Sequence, residues 1–170
     1  MKYRLFILLI LTQLGIADAE IEKGSCQLGD NQWLLTLKTR IVLEANPIEA
    51  IKSGIPLYFR YQIEARAPKW FSKPQTFNIL RRLSYNHLTF SYRITDEQDQ
   101  KLSYQNLEDA LAELGTLKDF HFSGTSSNHI RARFSLATDR LPFSLRLSAL
   151  LSDSWHINSG WWLCPQIPSK

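Results

Sequence analysis

Apolar and polar residues alternate along most of this chain. Asn31 to Val42 sets Trp33, Leu35, Leu37, Thr39 and Ile41 against Leu34, Thr36, Lys38 and Arg40. Leu57 to Glu64 sets Leu57, Phe59, Tyr61 and Ile63 against Tyr58, Arg60, Gln62 and Glu64. His129 to Leu136 sets Ile130, Ala132, Phe134 and Leu136 against Arg131, Arg133 and Ser135. A period of two with one apolar side predicts strands that lay one face on a core.

The stretch LSYNHLTFSYRI, residues 83–94, alternates as well but changes phase in its middle. Leu83 and Tyr85 are odd-numbered, whereas Leu88, Phe90, Tyr92 and Ile94 are even-numbered. Two readings fit. A two-residue turn at Asn86-His87 makes a hairpin, which the usual strand length favours. A bulge in one long strand flips the alternation, which the lack of a turn glycine favours. The balance falls to the bulge, and both readings put Leu83, Tyr85, Leu88, Phe90, Tyr92 and Ile94 on one core face.

Two segments carry helical signals. In NPIEAIKSGIP, Asn46 is the expected cap, Pro47 suits the first turn, Gly54 a left-handed ending and Pro56 the stop. In NLEDALAELG, Leu107, Ala110, Leu111 and Leu114 form a stripe opposite Glu108, Asp109 and Glu113. Phe143, Leu145, Leu147 and Ala149 alternate and predict a strand, followed by a break at 152–154 and a last strand from Trp155 to Cys164. The sum is a mainly β chain: an antiparallel β-sandwich of about seven to nine strands with two short helices.

The first nineteen residues differ in kind. Lys2 and Arg4 precede an unbroken apolar run from Leu5 to Leu11, and Ala17-Asp18-Ala19 is a small-x-small site. This order predicts a signal peptide over 1–19, cleaved after Ala19, and one domain over 20–170 in the periplasm. The apolar run is shorter than the ~20 residues that span a bilayer. Export changes the reading of the two cysteines. Cys26 and Cys164 bracket the mature chain, and an even count in an oxidising compartment predicts a disulfide. Removing Lys2, Arg4 and Asp18 with the leader lowers the formal charge from +4 to +3. So small an excess on an exported protein argues against a nucleic-acid partner.

Four pieces together resemble one bacterial family of exported proteins, DUF4390, a domain of unknown function. They are AIKSGIPLYFRYQIE, RRLSYNHLTFSYRI, LEDALAELGTL and ARFSLATDRLPFSLRLSALLSDSWHINSGWW, and their order and spacing carry the likeness. The resemblance implies an exported single-domain protein. It also implies an association with a two-component sensor kinase, whose gene often neighbours those of the family. It supplies no catalytic residues.

Catalytic patterns are absent from the sequence: no Gly-x-Ser-x-Gly, no phosphate-cradling glycine loop and no His-Glu-x-x-His. His87, His121, His129 and His156 lie far apart, so neither a metal nor another cofactor is expected. Ser152-Asp153-Ser154-Trp155-His156 holds serine, carboxylate and imidazole, but triad members converge from distant elements, so this reads as a polar turn.

Charge is more informative. Arg60, Arg82, Arg93, Arg131 and Arg133 all fall opposite apolar strand positions and predict a shared outward sheet face, with Tyr58 among them. Arginine suits two-point contact with carboxylate or phosphate. The acidic helix of 107–114 could fold back to neutralise part of that face. Trp70-Phe71, beside Lys69 and Lys73, adds a loop able to anchor a partner or touch a membrane. Trp161 and Trp162 are expected on one strand, one inward and one outward. The reading is a non-enzymatic envelope module. It would bind a protein partner, membrane-associated ones included, or an anionic envelope component. The specific version is modulation of a membrane sensor kinase. The alternatives are a periplasmic hydrolase acting through Asp153 and His156, and a carrier of a small apolar ligand between two sheets.

Overall fold

The computed structural model describes residues 19–29, 32–67, 73–123 and 129–165. Among these residues, nine strands form two antiparallel sheets. One holds β1 (Ala19–Leu28), β2 (Gln32–Ile41) and β7 (Thr116–Ser123) in the order β1-β2-β7. The other holds β3 (Leu57–Arg66), β4 (Gln75–Asn86), β5 (Ser91–Thr95), β6 (Lys101–Tyr104), β8 (His129–Leu136) and β9 (Trp162–Leu163). Its order is β6-β5-β4-β3-β8-β9.

The alternating residues behave as a period of two requires. Leu57, Phe59, Tyr61 and Ile63 of β3 and Ile130, Ala132, Phe134 and Leu136 of β8 are buried. Across the gap they meet Leu35, Leu37, Leu117 and Phe122, and these side chains form one cluster. Phe134 stacks on Phe59 at 5.5 Å and meets the edge of Tyr61 at 4.9 Å between ring centroids. These rings lie in the core between the sheets. Helix α2 (Leu107–Leu114) covers the part of the larger sheet that the three-stranded sheet does not reach. It packs on β5 and β6 as well as on β2 and β7.

Three local expectations are corrected. Residues 83–94 are neither a bulged strand nor a two-residue hairpin. β4 pairs with β5 through Leu83–Ile94, Tyr85–Tyr92 and Asn86–Ser91, and residues 87–90 make the turn. Asn86 supplies what a glycine would have done: its side-chain oxygen accepts the Leu88 N–H at 3.0 Å. Phe90 closes the turn at a φ of 49°. Leu83, Tyr85, Tyr92 and Ile94 do share the inner face, but Leu88 and Phe90 sit on the tip, exposed.

The second correction is at 143–151, which is helix α3 (Phe143–Leu151) and not a strand. Its apolar residues satisfy a period of two over seven positions and a period of 3.6 over nine, so alternation alone could not decide. Pro142 caps it, and the Arg146 guanidinium folds back to the carbonyls of Leu141 (2.8 Å) and Asp139 (2.7 Å).

The third is the last strand, which contracts to Trp162–Leu163. Before it, Ile157 to Gly160 runs along β8 by single contacts, Leu136 N to Ile157 O and Ser159 N to Phe134 O. Gly160, at a φ of 67°, turns the chain after these contacts and before β9.

Helix α1 (Ala45–Lys52) starts two residues earlier than expected, with Glu44 at the cap position. Asn46 does not cap it; its amide donates to Ser154 Oγ at 2.9 Å. Gly54 ends it in the left-handed region as its type allows, at a φ of 88°. The Cys26–Cys164 disulfide is present and ties β1 to the chain just beyond β9.

The arginine face of the larger sheet

Cross-strand register places the arginines. Tyr58 pairs with Arg82, Gln62 with Arg133, Glu64 with Arg131, and Ser84 with Arg93. Residues directly opposite share a face. All five expected arginines, Arg60, Arg82, Arg93, Arg131 and Arg133, therefore lie on the outer side of the larger sheet, away from the core. They form a diagonal band from β5 to β8, with successive rows about 7 Å apart along the strands.

The structure engages four of them. Arg131 donates from Nε (2.8 Å) and Nη2 (2.6 Å) to one oxygen of Glu64. Arg133 does the same to the side-chain oxygen of Gln62, at 3.0 and 2.7 Å. Gln62 in turn donates to the second oxygen of Glu64 at 2.9 Å, so the four side chains form one chain of bonds. Trp161 lies against both cations, 4.1 Å from the Arg131 guanidinium and 4.7 Å from that of Arg133. Its neighbour Trp162 turns inward, where its ring touches Gly24 closely enough that any Cβ there would collide with it. The expected inward and outward split of the pair is thus found, with the outward indole flanking the arginine face.

Arg60 reaches both oxygens of Asp139, at 3.1 and 3.0 Å. Arg82 makes one long bond, 3.4 Å, to Thr95 Oγ1. The Arg93 guanidinium has no hydrogen-bond partner among the described residues. A depression beside Arg82 is lined by Tyr58, Leu80, Thr95, Asp96, Glu97 and Asp99. The acidic groups that moderate this face are therefore Glu64, Asp139 and the turn of residues 96–99. Helix α2, expected to fold back on it, packs on the opposite side of the sheet. The arginine that meets α2 is Arg81, which alternation placed beside Arg82 but on the inner side. It donates to the carbonyls of Glu113 (3.1 Å), Leu114 (3.2 Å) and Thr116 (2.6 Å) and closes the helix C-terminus.

At the Arg131 end, a cleft of about 440 Å³ is lined by Glu64, Arg66, His129, Ile130, Arg131, Leu163 and Cys164. Arg66, the last residue of β3, continues the basic line into it and was counted in the sequence only as part of a basic run. Trp70 and Phe71 lie outside the described residues.

The Ser152–His156 segment is the polar turn its sequence suggested. Ser152 and Ser154 bond each other at 2.8 Å, and His156 Nδ1 lies 3.5 Å from Asp153. Neither serine bonds the imidazole. The groove between α1 and α3 is lined by Asn46, Glu49, Leu145, Ser148, Ser152 and Trp155, and neither Asp153 nor His156 reaches it. Among the described residues, no three His, Cys, Asp or Glu side chains gather as a metal site.

The fold and this face define an antiparallel β-sandwich with an arginine-bearing outer sheet, closed by a disulfide. The chain belongs to the family described as a domain of unknown function (DUF4390), which it matches over residues 17–163. No curated protein and no solved structure matches it.

Proposed function

We propose that the protein is a non-enzymatic module of the cell envelope, exported to the periplasm. It grips the carboxylate or phosphate groups of an envelope partner with the outer face of its larger sheet. The observation that carries the reading is the Arg131–Arg133 pair held against Trp161. The bonds to Glu64 and Gln62 occupy Nε and Nη2 of each guanidinium, so Nη1 of each remains for a ligand. Two cations fixed in place lose little side-chain freedom on binding, which is where preorganisation gains affinity. Arg82 and Arg93, weakly engaged, extend the same face toward β5. The sensor kinase suggested by the family resemblance is the partner of first interest, through its exposed extracytoplasmic part.

The test is photo-crosslinking in living cells. The reactive residue goes at Arg82 and Arg93, which hold little of the fold together, and at Glu113 on α2 as the control. A discrete adduct from the two arginine positions and none from Glu113 supports the reading and names the partner. No adduct at any position, or the same adduct at all three, refutes it.

A further inference from the structure

Helix α3 is apolar on two opposite sides. Ala149 and the half-buried Leu145 face the core. Phe143, Leu147, Leu150 and Leu151 recur at the spacing of one helical face and point out, 76%, 52%, 75% and 88% exposed. Exposed Ser144, Arg146 and Ser148 lie between the two sides, and an outward apolar face of this size ordinarily meets protein or lipid. At the same end of the sandwich, the β4–β5 hairpin tip carries Leu88 and Phe90, 91% and 70% exposed. The register fixes that shared end. β8 leads into α3 where Leu136 pairs with Phe59 near the start of β3, and Leu83 near the end of β4 pairs with Leu57, the first residue of β3.

We infer that this end of the molecule docks on the surface of a lipid bilayer, with α3 lying in the interface and the hairpin tip inserting beside it. Charge selects lipid as the occupant. Helix α3 contains no acidic residue, and its basic neighbours are Arg140 and Arg146. The acid beside them, Asp139, is shared by Arg60 at 3.0 Å and Arg140 at 3.9 Å, Glu49 lies in the groove between α1 and α3, and Asp153 beyond the helix faces His156 at 3.5 Å. Arg60, Arg140 and Arg146 thus outnumber the carboxylates of Asp139 and Glu49, and an apolar face with such a basic surround suits the headgroup layer of an anionic membrane. The other end holds the disulfide and the cleft beside Arg131.

This docking is independent of the arginine face and stands or falls separately. The test uses the chain exported from its full-length sequence and purified without detergent. It is floated with vesicles of phosphatidylethanolamine and phosphatidylglycerol, and with vesicles of phosphatidylcholine alone. The expected result is flotation with the anionic vesicles. Leu150→Ser with Leu151→Ser lowers the bound fraction at least about tenfold, as the loss of two buried leucines requires. Leu88→Ser lowers it less. The replaced leucines are exposed, so an unaltered melting temperature confirms that the variants are folded. Absence of flotation overturns the inference, as does flotation indifferent to the leucine variants. Self-association that vanishes with Leu150→Ser and Leu151→Ser, without flotation, overturns it in favour of a second copy.

Discussion

Arg131 lies 4.1 Å from the ring of Trp161, while its other contact, Glu64, comes from the neighbouring strand at 2.6 Å. One guanidinium thus joins β3, β8 and the segment leading to β9. Replacing Trp161 by alanine removes the surface against which both Arg131 and Arg133 rest. The expected loss is about 1–2 kcal/mol of stability, counting two partly exposed cation–π contacts. Trp161→Phe should keep roughly half of it, since the weaker ring retains the geometry. Urea denaturation midpoints of the two variants measure the difference.

The Tyr61 hydroxyl donates to the Gly115 carbonyl at 2.6 Å and lies 2.9 Å from Thr39 Oγ1, bridging the two sheets. Burial pushes its pKa from the ordinary 10.0 up to about 12, against the smaller opposing pulls of the Thr39 bond and the Arg81 charge. The fold favours the protonated phenol. Its contribution is complete below pH 10 and is lost as pH rises toward about 12, at ~1.4 kcal/mol per unit. Stability should therefore fall between pH 10 and 12 in the native protein. Tyr61→Phe should flatten that decline while costing about 1–3 kcal/mol at neutral pH through the stranded Gly115 and Thr39 groups. Chemical denaturation across this pH range reads both effects.

Arg81 closes the end of α2 with three bonds to carbonyl oxygens. Arg81→Met keeps much of the stem but strands those acceptors, and about 2 kcal/mol should be lost. Amide exchange should accelerate first in residues 107–116 if the arginine holds the helix end. Uniform acceleration would mean that it acts only on global stability.

The Cys26–Cys164 disulfide closes a separation of 138 residues. Constraining so long a loop in the unfolded chain contributes up to ~5 kcal/mol, with ~2–4 more usual in practice. Replacing both cysteines by alanine should lower the denaturation midpoint accordingly. Reduction of the native protein should produce the same shift and no additional one in the double variant.

Gly115 is fixed by approach rather than by turn geometry, because a Cβ there would meet the Thr39 carbonyl oxygen. Gly115→Ala should push α2 and β2 apart and weaken the Tyr61 bond as well. A loss above about 2 kcal/mol and a lowered alkaline midpoint are expected together.

The sequence by itself determined much of this protein. The strict alternation of 57–64 and 129–136 marked β3 and β8, their inner faces and the outward position of Arg60, Arg131 and Arg133. Pleating sends successive side chains to opposite sides whatever the strand pairs with. The apolar stripe of 107–114 marked α2, and the cysteine pair was foreseeable from export. Nothing local distinguished a strand from a helix at 143–151, where the same leucines satisfy both periods. Nor did it show that the chain reverses at 87–90, because the turn rests on one side-chain bond from Asn86. β1, β6 and β7 carry weaker alternation and take their places from their partners. Tertiary structure alone decided which arginines are occupied. Glu64, Gln62 and Asp139 reach them across strands and loops, and Trp161 comes from some thirty residues downstream of Arg131. Those meetings depend on register and on the path of the chain after α3, and long-range pairing leaves no trace in a local period.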